Sequence, residues 1–492
     1  MASVPPKTWR WWWLLIPLAY ALYFHALGAT GLLGPDEPRY ASVAREMTQS
    51  GDWITPRLWG EPWFEKPALL YWMTAAAFSA GLGADLAPRL PVALLSVGFL
   101  LFFRWVLARE FGARAGWFGM LILGTCGGWV GYSAIGVTDI PLAACFSAAM
   151  LLALPWLARG DARPLPAAAA LLGAAVLAKG LVPLVLVLPL LWMGRRRWRD
   201  LLRPRVAAVF LCVALPWYWL CYLRNGRLFL EIFIWEHHFG RFASDALLHG
   251  QPWWFYVPVL LAALLPWTLL PALVPRRLWK QDARLRLLAA WVGFGLVFFS
   301  ASANKLPGYL LPLLPAAAAL AAVALDNLGD ARLALAGVGL LLISVLVTAQ
   351  VLPAALAAGL SRAPRPAPSW TWGLPVLVAA GAWRLEALRR RTAAVLLLAS
   401  AVAAGVFYIK TATYSEIARA VSARELWRGI APRRGQVCVA GIHRSWRYGL
   451  NYYSQTPLPD CDAAPRPWRI TQVAGHPPEV RGPSPGDLPG GP

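Results

Sequence analysis

The chain has 492 residues, of which 58% are hydrophobic and only 14% charged, and its mean hydropathy is +0.51. A soluble domain of this size needs a larger polar shell, with about a quarter of its residues charged, so a soluble cytoplasmic enzyme and a disordered chain are both excluded. The 46 Lys and Arg against 24 Asp and Glu leave a net charge of +22. That points to nucleic acid if the cations cover a soluble surface, and to cytoplasmic loops if they sit between apolar spans.

In chain order, the apolar segment Trp9 to Leu27 comes first, with Lys7 and Arg10 at its start. It is of spanning length and lacks a small-residue cleavage site, so it reads as a first transmembrane helix with its amino terminus inside. Further apolar segments fall near 89–108, 115–133, 139–158, 164–178, 180–194, 205–223, 253–274, 285–302, 308–326, 332–357, 370–384 and 392–409. With 11–27 they predict an all-α polytopic membrane protein of about 13 transmembrane helices, at roughly 20 residues each. The arginine-rich loops 195–205, 276–286 and 384–391 are cytoplasmic by the positive-inside rule. Counting back from them puts 28–88, 134–138, 224–252, 303–306 and the C-terminal region outside. A crossing at 67–83 would place Lys7 and Arg10 outside as well, so that segment is expected to be re-entrant or interfacial. Most of the excess charge is thereby assigned to topology, and nucleic acid loses its main support as a partner.

Residues 1–409 are expected to form the transmembrane catalytic domain, and 410–474 a small α/β extracytoplasmic region. In that region Ser415 reads as the N-cap of a helix through about Ile430, and Gln436 to Ile442 as a short buried strand. Cys438 and Cys461 can pair if the region faces an oxidising compartment. The Gly/Pro-rich tail 475–492 is expected to be disordered.

The residues able to carry chemistry lie in the outer segments. In Gly34-Pro35-Asp36-Glu37-Pro38-Arg39-Tyr40, Asp36 is either the cap of a helix from about Pro38 or a carboxylate held at the membrane boundary as a general base. Trp63-Phe64-Glu65-Lys66-Pro67 sets an acid beside a base at the start of an apolar helix. These residues either anchor the interface or bind: Lys66 a lipid phosphate, Glu65 a metal or a sugar. Asp139 opens an outer helix end, and Lys179 interrupts a long apolar stretch, a costly position unless the ammonium is paired or snorkels to the interface. The loop with His237, His238 and Arg241, and the run Asn304-Lys305-Leu306-Pro307-Gly308-Tyr309, add further cations, histidines and a phenol on the same side. Zinc is a weak reading of the histidines, because paired ligand spacing is absent.

Together these motifs resemble the bacterial lipid A aminoarabinose transferases (ArnT) and their protein mannosyltransferase-like relatives, integral membrane glycosyltransferases of the GT-C class. The resemblance runs in order over about residues 9–310. It implies a polyprenyl (undecaprenyl) phosphate sugar donor and a lipid A, glycan or protein acceptor, at the outer face of the bacterial inner membrane. Asp36, Glu37 and Asp139 match its acidic catalytic positions. Lys66 and Arg241 match residues that handle the donor phosphate, to which Lys179, Lys305 and Tyr309 are added. Glu65 with His237 or His238 matches a divalent metal (Zn) site reported for relatives. The C-terminal region is shorter than the outer domain of the full lipid A enzymes. A protein O-mannosyltransferase-like enzyme and a flippase or transporter for lipid-linked sugars remain as alternatives, and membrane lipids are expected partners throughout.

Overall fold

The structure, a computed structural model, describes residues 13–233, 235, 250–473 and 475–482. Residues 9–12 of the expected first helix, the residues His237, His238 and Arg241, and the end of the tail lie outside the described residues. Among the described residues, seven helices are long and apolar enough to cross a membrane: Leu90–Phe111, Asp139–Arg159, Pro204–Phe233, Ala283–Ala301, Pro307–Asn327, Arg332–Ala358 and Arg391–Val421. The other expected spans are shorter apolar helices, among them Leu15–Phe24, Leu165–Lys179, Val182–Met193 and Trp253–Ala263. Segment 115–133 is divided between α5 (Ala113–Gly124) and α6 (Gly127–Ser133). The segment expected to be interfacial holds α3 (Leu69–Ser79), an apolar helix of 11 residues.

Helix Leu314–Asn327 is the axis of the bundle and is buried along almost its whole length. Its alanines let neighbouring helices come close, which is how membrane helices gain packing energy where burial from water gives none. The long helix α4 (Leu90–Phe111) approaches α5 as closely, with the carbonyl of Arg104 against Gly116, where a Cβ would fall 2.7 Å away.

Ion pairs gather at the two ends of the bundle. At one end Glu110 takes Arg159 at 2.7 Å and Arg284 at 3.2 Å. There Arg114 meets Asp326 at 2.5 Å, and Arg391 pairs with Glu386 and donates to the carbonyl of Leu325 at 2.7 Å. This end carries the arginine-rich loops. The opposite end carries α2 (Asp36–Ser50), the short hairpin β1 (Arg57–Leu58) and β2 (Glu61–Pro62), and the C-terminal region.

The C-terminal region departs from expectation at its start. Helix Arg391–Val421 continues without a break through 410, so Ser415 lies inside it. The cap is Ser422, whose hydroxyl accepts from the Arg424 amide ahead of helix Ala423–Ile430. β3 (Val437–Ala440) pairs parallel with β4 (Trp468–Thr471), and β4 antiparallel with β5 (Glu479–Arg481). The expected disordered tail therefore supplies a strand before the described residues end. Cys438 and Cys461 are disulfide-bonded. The unit docks through Asp85, which accepts from Tyr453 at 2.6 Å and Arg424 at 2.9 Å, and through Tyr452, which donates to the Ala84 carbonyl at 2.6 Å.

The segments around α2 are held by a buried ion pair. Glu37 is 0% and Arg89 2% exposed at the side chain, with Nε to Oε1 at 2.6 Å and Nη2 to Oε2 at 2.7 Å. Glu37 also accepts from the amides of Leu33 and Gly136, while Arg89 donates to the carbonyls of Leu27 and Gly31 and the hydroxyl of Thr30. Removing one member leaves the other charged, buried and unpaired. Arg89→Leu is therefore expected to lower stability by about 3–5 kcal/mol, with part of the loss recovered in Glu37→Leu/Arg89→Leu. Thermal unfolding in detergent reads both; an Arg89→Leu protein as stable as the parent would remove the pair from this role.

Candidate functional site

α2 begins after Pro35 and places Asp36 and Glu37 in its first turn, where carboxylates meet the positive end of the helix dipole. Asp36 is thus not the cap. Its carboxylate accepts from Arg39 at 2.5 Å, one turn on, and its side chain is 44% exposed. Glu37, next to it, turns inward to Arg89 and is sealed. It departs from the expected catalytic contact because its oxygens are occupied and no surface of it is open.

Arg39 also reaches Glu65 at 2.9 Å, and Glu65 meets Lys66 at 3.4 Å. The β1–β2 hairpin delivers that pair. Its turn uses positive φ at Trp59 and Gly60, and Glu46 of α2 accepts both of their amides. Phe64 then anchors the segment in a cluster with Phe229 and Trp217. Aromatic rings surround the Arg39 guanidinium: Tyr40 at 5.4 Å, Trp63 at 5.6 Å, and Tyr448 of the C-terminal helix Arg444–Ser454 at 5.2 Å. Burial opposes the Arg39 charge, but the carboxylates, Glu65 foremost, more than offset it and hold the group above the ordinary arginine range.

A second group forms where α7 (Asp139–Leu152) begins and α9 (Leu165–Lys179) ends. Asp139 follows the cap position, which Thr138 occupies, and accepts from Lys179 at 2.6 Å. The Lys179 ammonium lies 4.9 Å from the Tyr309 ring. Gly308 passes between: a Cβ there would fall 2.8 Å from the Tyr132 ring and 2.9 Å from the Asp139 carboxylate.

Of the residues singled out from the sequence, Asp36, Glu65 and Lys66 thus meet around Arg39, and Asp139, Lys179 and Tyr309 meet around Gly308. Lys305 is buried and donates to the Ser302 carbonyl at 2.6 Å. Arg241, His237 and His238 lie outside the described residues. Sequence reasoning missed Arg39 as the centre of the first group; the available signal was its i+3 spacing from Asp36. Tyr132 carried no signal beyond a helix-end aromatic.

The metal expectation rests on His237 and His238, which lie outside the described residues. Among the described residues no three His, Cys, Asp or Glu gather to hold an ion. Glu65 is already shared by two cations, which a divalent ion would have to displace.

Residues 65–219 match the family model for dolichyl-phosphate-mannose-protein mannosyltransferase. The undecaprenyl phosphate-alpha-4-amino-4-deoxy-L-arabinose arabinosyl transferase of Pseudomonas paraeruginosa is 32% identical, covering 94% of this chain and 91% of that protein. A Pseudomonas fluorescens enzyme of the same name is 35% identical over 61% of this chain, an alignment that spans about half, 55%, of that relative. The crystal structure of ArnT from Cupriavidus metallidurans bound to undecaprenyl phosphate is similar with a TM-score of 0.72 at 25% identity, covering 94% of this chain and 93% of that one.

Gly308 offers a direct test of the second group. Gly308→Ala drives a methyl into Tyr132 and Asp139 and is expected to cost roughly 1–3 kcal/mol as overpacking. Thermal unfolding beside the parent checks it, and an unchanged midpoint would show that the strand of backbone is free to move aside.

Proposed function

The chain belongs to the undecaprenyl phosphate-aminoarabinose arabinosyl transferase family of GT-C membrane glycosyltransferases, and we propose that it moves a sugar from a polyprenyl phosphate donor to a lipid A, glycan or protein acceptor at the outer face of the bacterial inner membrane. The observation that carries this reading is the charge balance of the site. Arg39 and Lys66 stand against Asp36 and Glu65, and Lys179 against Asp139, so each carboxylate here is matched by a cation that an anionic donor could engage. The relative bound to undecaprenyl phosphate supports that choice of donor.

In the proposed reaction the bond between the sugar carbon and the phosphate oxygen breaks, and polyprenyl phosphate leaves with the electron pair. Lys66, Lys179 and the Tyr309 hydroxyl, with Lys305 and Arg241 added from the resemblance, stabilise that departing charge. Donors fixed in place before reaction do so without reorganising. The acceptor oxygen forms the new bond. If the acceptor is a hydroxyl, Asp36 takes its proton, and Arg39 orients the carboxylate. If it is a phosphate, already ionised, Asp36 orients it. Asp139 holds Lys179 charged and in place. No step is assigned to a metal.

The orientation has two supports. The arginine-rich end reads as cytoplasmic, and the disulfide of the C-terminal region, at the other end, suits an oxidising compartment.

Turnover of a panel of polyprenyl phosphate sugars by the purified protein in liposomes tests the reaction. Asp36→Asn and Lys66→Ala are each expected to lose about 10²–10³-fold in rate. Full activity in both would remove the proposed site, and translocation of a donor without turnover would favour the transporter. A cysteine introduced at the exposed Gln251 is expected to react with an impermeant thiol reagent from outside only; labelling from the cytoplasm would invert the orientation.

A further inference from the structure

A trough unrelated to the proposed reaction runs along the membrane face between α1 (Leu15–Ala19), α4 and α5. Its wider part is a cavity of about 380 Å³ lined by apolar side chains and a single charged one, Arg104. It continues along α4 toward Val97 as a narrower apolar cavity of about 100 Å³; Leu15, Ala19, Leu101 and Met120 line both parts. Ile16 and Leu101 on its rim are 62% and 55% exposed, so the trough faces the hydrocarbon.

Arg104 lies two turns from the end of α4 that carries Glu110 and the arginine-rich loops. Its guanidinium sits 4.0 Å from the Trp117 ring, and its Nε is buried with no hydrogen-bond partner among the described residues. No carboxylate among the described residues pairs with it, although Glu110, on the same helix, takes two other arginines. One turn on, Arg109 sits 5.0 Å from the Trp105 ring, again without a carboxylate among the described residues. A cation held in an apolar trough without a counter-charge is costly and marks a site for one.

We propose that this trough binds an anionic phospholipid of the cytoplasmic leaflet. Its phosphate accepts from Arg104 beside Trp117, and one acyl chain lies along the apolar wall toward Leu22 and Val97. The two parts match the two halves of such a lipid in order: cation and indole at headgroup depth, aliphatic side chains toward the midplane. A neutral zwitterionic lipid would fill the same apolar wall but bring its own cation to Arg104.

Native mass spectrometry of the full-length protein, released from nanodiscs of phosphatidylglycerol and phosphatidylcholine in equal parts, tests the site. The parent is expected to retain one phosphatidylglycerol in preference to phosphatidylcholine. Arg104→Gln is expected to reduce that retention roughly fivefold. Leu101→Trp, which fills the exposed wall and leaves the cation, is expected to reduce it as well. Arg114→Gln, whose partner Asp326 lies outside the trough, is expected to leave it unchanged. Equal retention by the parent and Arg104→Gln would overturn the proposal. So would equal loss in Arg114→Gln.

Discussion

The cost of leaving a charge in hydrocarbon orders this molecule. A buried ion separated from its partner costs several kcal/mol, so an acid carried on a membrane helix must meet a cation as the helices assemble. Glu37 meets Arg89, Glu110 meets Arg159 and Arg284, Glu386 meets Arg391, and Asp139 meets Lys179. Each pairing joins residues far apart or across a turn, and each sits at an end of the bundle. Lys410 meets the same demand without an acid. It donates to the carbonyls of Leu22 and His25, where the first helix ends, and so ties the last long helix to the first.

The same rule builds the outer face. Glu37 could stay charged inside only with Arg89 and two backbone amides, and these contacts draw together the segment after the first helix, the start of α4 and the loop before α7. Asp36, one residue earlier, is fixed by that arrangement with its carboxylate at the open surface. The proposed chemistry therefore rests on a rigid neighbour: a sealed acid positions an exposed one. Arg39 extends the pattern, since two carboxylates and three rings fix its guanidinium before any ligand arrives.

Apolar runs near spanning length and the asymmetry of arginine between loops made the helical bundle and its arginine-rich end legible from the sequence, because both signals are local sums over many residues. What escaped was set by single rotations and distant partners. Asp36 and Glu37 look alike in the sequence, and the helix turn that separates them decides which is sealed; the partner of Glu37 lies 52 residues on. Arg39 falls off the apolar stripe of α2, but both sides of that helix are covered, one by the bundle and the other by the C-terminal region. Ser415 resembled a cap because it precedes an acid and an apolar residue. The better signal was Ser422, with Glu425 three residues later, the spacing of a capping box.

The C-terminal region belongs to the outer face as much as the first loop does. Asp85 holds Arg424 and Tyr453, Ala84 holds Tyr452, and Arg45 of α2 donates to the Tyr452 carbonyl at 2.7 Å while lying 3.9 Å from its ring. These contacts set helix Arg444–Ser454 across α2 and bring Tyr448 onto Arg39 and against Trp59, their rings 5.6 Å apart. A short region can thus reach the centre of the candidate site, because Tyr452 and Tyr453, which dock it, and Tyr448, which reaches Arg39, share one helix.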